Sequence, residues 1–149
     1  MRTEQARVER IDFYILASAK PQAAELFACR LAEKAYAQDH RIFIRTRSRA
    51  QAESLDELLW TFRQSSFLPH GLVGGEDEPI LLGDTVPAEV THDLLINLSD
   101  ELPPHWERFR RLAEVVEPEP ALLAQARERF RFYRRHGYQP ISHNLGSRS

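Results

Sequence analysis

The sequence predicts an α/β fold with a mostly parallel sheet. Through the first half of the chain, short apolar runs rich in β-forming residues alternate with segments of helical period. This alternation is typical of parallel strands joined by right-handed helical crossovers. The length of 149 residues and the hydrophobic content of 42 % are enough for one buried core. With no internal repeat, we predict a single three-layer Rossmann-like domain over residues 1–140 and a flexible tail over 141–149.

The first half of the chain supplies two strands and two helices. Residues 11–16 form a short, mostly apolar run, as expected of a buried first strand. Pro21 suits a first helical turn, and apolar residues spaced by three and four predict a helix over about 20–38. Residues 41–45 form a second strand, and Ser48 can cap a helix that runs to about Phe62.

The second half begins with a loop over residues 64–78, which is rich in Ser, Pro and Gly. Strands are predicted at 79–83 and 93–98, a short helical stretch over 106–112, and a fifth strand at 114–117. The last helix covers about 120–136, and Gly137 with Pro140 ends it.

Charge is distributed unevenly, although the net charge is only -2. No Lys or Arg occurs between Arg63 and Arg108, whereas the chain from Pro118 onward contains six arginines and only two glutamates. An acidic side and a basic side favour oriented association with another protein, the alternative being chance clustering on a solvated surface. The acidic residues of the middle segment are Glu76, Asp77, Glu78, Asp84, Glu89, Asp93, Asp100, Glu101 and Glu107.

No pattern for nucleotide, metal or nucleophilic chemistry stands out. The loop after the first strand, residues 17–21, contains no glycine, whereas a phosphate cradle needs backbone N–H groups close to the ligand. The glycines at 74 and 75 directly precede three consecutive acidic residues, which would repel a phosphate group. The six histidines show no helical metal-ligand spacing, and no serine has a nucleophile-elbow context. We therefore expect no cofactor, no metal and no catalytic residue.

The cysteine count and the lack of a signal or membrane-spanning segment in the sequence bear on redox chemistry and on the cellular compartment. Cys29 is the only cysteine, so no disulfide can form within one chain, and its apolar helical neighbours predict a small buried side chain. The first ten residues lack an apolar signal core, and no run approaches membrane-spanning length. We expect a cytoplasmic protein.

The most informative segment is 126–138, with five arginines and four Phe or Tyr residues in thirteen positions. At helical spacing Arg127, Arg131 and Arg134 share one face, with Phe130 and Tyr133 beside them. Guanidinium groups next to aromatic rings suit a partner that offers a carboxylate or phosphate together with an apolar group.

A second unusual segment carries apolar side chains from the second helix into the following loop. Trp60, Phe62, Phe67, Leu68 and Leu72 lie there, although loops are usually polar. Either Phe67 and Leu68 fold back onto the core, or the segment exposes an apolar patch that docks another protein.

With both segments in view, the chain resembles the chi subunit of bacterial DNA polymerase III holoenzyme over roughly residues 11–137. The resemblance rests on the first strand, the Leu-Leu-Trp ending of the second helix, Ser-Phe-Leu-Pro-His at 66–70, the strand at 93–98, Glu-Val-Val at 114–116 and Ala-Arg-Glu-Arg-Phe-Arg-Phe-Tyr-Arg at 126–134. It implies a Rossmann-like protein without enzymatic activity, an accessory to the clamp-loader complex and part of a DNA-directed DNA polymerase.

The resemblance also implies a partner for the last helix: the acidic, phenylalanine-terminated C-terminal tail of single-stranded DNA-binding protein. By motif, Arg127 holds the terminal carboxylate, Phe130 helps to wall the ring pocket, and Arg131 and Arg134 meet the acidic residues. The chain departs from the family pattern in a shorter connection at 118–120 and in Leu123, where a basic residue is frequent.

For the aromatic segment, the resemblance implies docking of the psi subunit or an alternative helicase partner. Trp60, Phe67 and Pro69 occupy the matching positions, with Leu68 between the last two. Such an adaptor is expected to be located at the replisome on the nucleoid. It is expected to contact DNA only indirectly, through its partner proteins. Two alternatives remain at this point: direct binding of single-stranded nucleic acid by the arginine–aromatic helix, and a nucleotide or phosphoester enzyme on the same scaffold.

Overall fold

A computed structural model describes residues 8–62 and 67–146 of the chain. These residues contain the following strands and α-helices: β1 Arg10–Ile15, α1 Ala23–Ala37, β2 Ile42–Arg45, α2 Arg49–Thr61, β3 His70–Leu72, β4 Ile80–Gly83, β5 Leu94–Asn97, β6 Arg111–Val116, α3 Pro120–Arg135 and β7 Ile141–Asn144. Ser48 caps α2 as predicted, because its Oγ accepts a hydrogen bond from the Gln51 N–H at 3.0 Å.

The described strands form one parallel sheet in the order β3-β4-β2-β5-β6-β1-β7. Helices α1 and α2 pack on one face, over a core that includes Ile44, Leu82 and Ile96. Helix α3 packs on the other face with Trp106 and Phe109. Side chains alternate between the two faces of a strand, so continuous apolar runs such as β2 and β5 supply both cores. The three-layer α/β prediction is confirmed.

Strand β3 lies inside the stretch predicted to be a loop, so that prediction is wrong for His70–Leu72. The strand is three residues long and pairs with β4 in parallel, His70 opposite Ile80. The Val73 N–H extends the pairing to the Leu82 carbonyl at 2.8 Å. A run this short shows no periodicity in sequence, and its strand conformation comes from its partner.

The region before β6 also differs from the prediction. The helical stretch expected over 106–112 is a single 3-10 turn, Trp106–Arg108, and β6 begins at Arg111 rather than at residue 114. Parallel pairing of β6 with both β1 and β5 draws these residues into the sheet, with Leu112 opposite Ile11 and Leu95. Tertiary pairing overrides the local preference here.

The end of the chain is not entirely a flexible tail. Ile141–Asn144 form β7, which pairs in parallel with β1 at the edge of the sheet. The His143 ring stacks on Tyr14 at 4.8 Å, and its Nε2 lies 2.8 Å from a carboxylate oxygen of buried Asp12. These contacts bind a polar strand that has almost no apolar signal of its own. The last residues, 147–149, lie outside the described part of the chain.

Asp12 links β7 to β1 in a pH-dependent way. Burial raises the pKa of this carboxyl, but hydrogen bonds from Arg10 and His143 and their charges outweigh burial and bring its pKa below the usual value. A lowered carboxyl pKa stabilises the folded state above the unfolded pKa of about 3.9, and this stabilisation is lost as pH falls through the folded pKa.

We expect Asp12→Asn to lower the free energy of unfolding by about 1–3 kcal/mol near neutral pH, because it removes charge-assisted hydrogen bonds from a buried acceptor. Urea denaturation of both proteins should show the difference shrinking below about pH 4, where Asp12 of the unfolded wild-type chain begins to take up a proton, and shrinking further as pH falls through the lowered pKa of folded Asp12. A difference that stays constant down to pH 2, below the usual range of a carboxyl pKa, would contradict this role.

Cys29 is fully buried in α1, as predicted. Burial raises the pKa of its thiol to about 12. The thiolate form is therefore absent at neutral pH, which leaves this cysteine a packing residue.

Candidate functional site on helix α3

Helix α3 begins with Pro120 in its first turn and is followed by Gly137, whose φ of 94° is the left-handed conformation that ends helices. Both boundaries agree with the prediction. Its buried residues are Ala126, Arg129 and Tyr133. Tyr133 was expected beside the exposed arginines, and that expectation is wrong because its ring lies inside the core.

A buried carboxylate holds α3 against the sheet. Glu114 of β6 is fully buried, and its oxygens accept hydrogen bonds from Arg129 Nε at 3.0 Å, Asn97 Nδ2 at 2.8 Å and the Tyr133 hydroxyl at 2.8 Å. Arg129 Nη1 also donates to the Asp100 carbonyl at 2.8 Å. Burial, followed by the charge and hydrogen bond of Glu114, raises the pKa of Tyr133. This network, Glu114–Arg129–Tyr133–Asn97, fixes the rotation of α3.

Sequence reasoning missed this network. A signal was present, because Glu114 interrupts an otherwise apolar strand and a buried carboxylate requires a cation and further donors. The cation itself could not be chosen from five neighbouring arginines without the helix orientation.

With the buried face fixed, one exposed side of α3 carries the predicted residues. This surface, the α3 flank, consists of Leu123, Arg127, Phe130, Arg131 and Arg134. Phe130 and Leu123 are half-buried, and the three arginines are exposed. The Phe130 ring lies 5.2 Å from the ring of Phe13 in β1.

The arginines of the α3 flank differ in their partners. Arg131 donates to Glu128 at 2.7 Å, one helical turn away. Arg127 and Arg134 have no hydrogen-bond or ion-pair partner among the described residues. Their guanidinium groups can therefore bind an anion without breaking an internal ion pair.

The α3 flank lies beside an open edge of the sheet. Phe130 contacts Phe13, and Phe13 is the register partner of Ser142 in β7. In the described part of the chain β7 pairs only with β1. The α3 flank thus adjoins β1, the strand that pairs with the edge strand β7.

The opposite side of α3 is closed by packing. The Trp106 ring makes edge-to-face contacts with Phe132, Tyr133, His136 and Tyr138 at centroid distances of 5.3–5.8 Å. Trp106 is only 7 % exposed. The aromatic residues of α3 therefore divide into a packing cluster and one ring, Phe130, that borders the arginines.

The predicted docking segment is partly exposed. Trp60 is 53 % and Phe67 68 % exposed, and their rings lie 5.5 Å apart. Leu68 is 4 % exposed and belongs to the core under α1 and α2, so it does not contribute to an exposed patch. Pro69 is half-buried. Leu68 thus folds back onto the core, as the first alternative of the sequence prediction expected, whereas Phe67 stays exposed and its docking role remains a prediction.

His70 packs against the exposed aromatic residues and connects two elements of the fold. Its Nδ1 lies 2.6 Å from the Leu68 carbonyl, its Nε2 lies 3.1 Å from the Asp56 carbonyl, and the Trp60 ring packs on it at 4.5 Å. The contacts tie the end of α2 to the start of β3. We call the exposed pair Trp60 and Phe67 the aromatic patch.

Across residues 8–62 and 67–146, no group of three or more His, Cys, Asp or Glu side chains is arranged to hold a metal ion. Among the same residues, no helix has the combination of length and apolar character that crossing a membrane requires.

Comparisons with known proteins agree with one another. Residues 8–140 match the family described as "DNA polymerase III chi subunit, HolC". A Pseudomonas aeruginosa protein named DNA polymerase III subunit chi is 44 % identical over 91 % of this chain and 96 % of its own length. Proteins of the same name from Haemophilus influenzae and Escherichia coli are 32 % and 29 % identical, over 90 % and 78 % of this chain and 96 % and 82 % of their own lengths.

Proposed function

The chain belongs to the DNA polymerase III chi subunit family and is thus an accessory replication subunit; from this premise we propose that it is a non-catalytic adaptor between two replisome components. One is the clamp-loader complex. The other is single-stranded DNA-binding protein, whose acidic, Phe-terminated C-terminal tail the α3 flank binds. Such an adaptor works in the cytoplasm, where the replisome meets the nucleoid.

The observation that carries this proposal is the pair of exposed, unpartnered guanidinium groups beside a half-buried ring. Arg127 lies one turn from Phe130 and Arg131 on α3. A terminal phenylalanine presents a carboxylate and a ring on one residue, and Arg127 with Phe130 offers the matching cation and apolar contact. The tail's ring would lie against Phe130 while its carboxylate accepts two hydrogen bonds from Arg127.

The other arginines contribute in different degrees. Arg134 is unpartnered and attracts the acidic residues that precede the terminal phenylalanine. Arg131 is already paired with Glu128 at 2.7 Å, so an incoming carboxylate competes with an internal one. Exposed pairs of this kind are worth about 0.2–1 kcal/mol, which makes Arg131 a steering residue more than an anchor.

A titration that separates peptide binding from nucleic-acid binding tests the proposal. The probes are a labelled Asp-rich peptide ending in Phe with a free carboxylate, the same peptide with an amidated end, and a labelled deoxythymidine oligonucleotide. Binding of the first peptide with at least about tenfold loss on amidation supports a tail site. Binding of the oligonucleotide with a steep salt dependence, and of neither peptide, would instead support direct contact with single-stranded DNA.

We further propose that the aromatic patch docks the psi subunit or another clamp-loader component. Large exposed rings in contact with each other are common anchors of protein interfaces. The patch lies at the end of α2, on the face that α1 and α2 cover, whereas the α3 flank lies on the opposite face. The two partners could therefore bind together.

Replacing both Trp60 and Phe67 with alanine should weaken the complex with the docked subunit by at least about 2 kcal/mol, since buried aromatic anchors dominate interface energies. Affinity for the tail peptide should be unchanged. Leu145→Ala serves as the control, because Leu145 is a 46 % exposed apolar residue outside the patch. An equally strong complex after the double change, measured by co-purification and calorimetry, would rule out this docking site.

A further inference from the structure

A third surface lies at the end of the sheet farthest from β7. An open depression of about 590 Å³ adjoins strand β4 and the loop that follows it. Its apolar floor belongs to the core on the α3 side of the sheet. We call it the acidic bowl, and the residues that define it are Val73, Glu76, Leu81, Pro87, Glu89 and Val90.

The bowl exists because, among the described residues, no helix covers β3 and β4 on the α3 side of the sheet, whereas α2 covers them on the other side. Neighbouring parallel strands are usually joined by a dozen or more residues, commonly a helix. Here β3 and β4 are joined by residues 73–79 alone, and Gly74, with φ 101°, makes the turn. Leu81 of β4 and Val73 are left half-buried. Helix α3, on the same side, covers the sheet near β6 and β1 instead.

Carboxylates surround the apolar floor. Glu76 and Glu89 are exposed and have no hydrogen-bond or ion-pair partner within the described residues. Asp77, also at the bowl, is already paired with Arg41 at 2.9 Å. The residues of the bowl all belong to the segment between Arg63 and Arg108, which contains no Lys or Arg. No cation close to them in sequence therefore neutralises Glu76 or Glu89.

We propose that the acidic bowl docks a basic segment of a partner protein. The segment places one aliphatic side chain on Leu81 and Val90, and lysine or arginine residues on either side of it meet Glu76 and Glu89. Apolar contact at the floor gives the segment a fixed register, and the charged rim selects against acidic peptides. The acidic tail proposed for the α3 flank is therefore excluded from the bowl.

The position in the sheet allows the two sites to be filled together. In the strand order, β4 and β1 are separated by four spacings, which is roughly 19 Å at about 4.8 Å per spacing. One face of the molecule thus binds an acidic segment near β1 and a basic segment near β4. An adaptor with this arrangement holds two partners of opposite charge in a defined orientation.

Amide NMR shift mapping with the peptide acetyl-Lys-Lys-Leu-Lys-Lys-amide tests the bowl at low salt, where exposed charge pairs are least screened. We expect shifts at residues 73–77, 81, 85, 86 and 88–92. The matched peptide with Ser in place of Leu should bind about fivefold more weakly, and the one with Glu in place of Lys should not bind.

The double variant Glu76→Gln/Glu89→Gln should also lower the affinity about fivefold. Glu107→Gln is its control, because Glu107 is an exposed acid of the same segment that does not line the bowl. Equal binding by the double variant, or no preference for Leu over Ser, would overturn the proposal. So would sedimentation showing that the free chain self-associates and that the double variant abolishes this, because the basic occupant would then be a second copy.

Discussion

Glu114→Gln is expected to lower the free energy of unfolding by about 3–5 kcal/mol, because it leaves the buried Arg129 guanidinium without its anion. Glu114 and Arg129 are 0 % and 6 % exposed, so solvent compensates little for the lost charge. The substitution preserves the shape of the side chain, and the loss therefore reports electrostatics and hydrogen bonding rather than a cavity.

Urea denaturation followed by circular dichroism measures this effect. Glu53→Gln is the matched control, since Glu53 pairs with Arg49 at 3.2 Å on the exposed surface of α2; it should change stability by less than about 1 kcal/mol. Combining Glu114→Leu with Arg129→Met, which removes both charges, should recover part of the loss. If Glu114→Gln costs no more than the control, the network does not hold α3 in place.

Arg127→Ala is expected to weaken binding of the acidic, Phe-terminated tail by about 1.5–3 kcal/mol, roughly 10–150-fold, because a charge-assisted contact with the terminal carboxylate is lost. The stability of the protein should not change, since Arg127 has no partner among the described residues and its side chain is exposed. The affinity is read from a titration with the labelled tail peptide.

Two further variants define the role of Arg127. Arg127→Lys keeps the charge but loses the bidentate guanidinium donor. Its affinity for the tail peptide should therefore fall between that of the wild type and that of Arg127→Ala. Arg135→Ala removes an exposed arginine from the same helix but outside the α3 flank and should leave affinity nearly unchanged. Equal losses for Arg127→Ala and Arg135→Ala would indicate a diffuse electrostatic effect and not a carboxylate site.

The two experiments are connected through the helix. Arg129 and Tyr133 hold the buried face of α3, and Arg127 and Phe130 lie on the exposed side of the same turns. A change in the rotation of α3 would move Arg127 relative to Phe13 and β7. Weakened tail binding in Glu114→Gln is thus expected to accompany its loss of stability.

Much of the fold was predictable because its signals are local. The helical periods of α1, α2 and α3, the Ser48 cap and the Gly137 stop each depend on residues within a few positions of one another. The short, continuous apolar runs of β2, β4 and β5 indicated burial on both faces of a sheet. The same local pattern placed Arg127, Arg131 and Arg134 on one side of a helix.

The missed elements depend on distant partners. Strand β3 is short and β7 is polar, and each is a strand because of pairing with β4 or β1. The start of β6 was obscured for the same reason. Leu68 lies next to exposed Phe67 in sequence but is buried, because the chain passes over the core at that position.

By itself, the sequence determined the α/β class, the boundaries of α2 and α3, the arginine-rich stripe and the separation of acidic from basic segments, since composition and periodicity are properties of the local chain. Only the tertiary structure decided which arginine of α3 is buried and which aromatic ring of α3 borders the exposed arginines. It also decided where the acidic segment forms a concave surface. Those outcomes depend on how α3 is rotated against β6, which a carboxylate fifteen residues before Arg129 fixes, and on which strands neighbour one another.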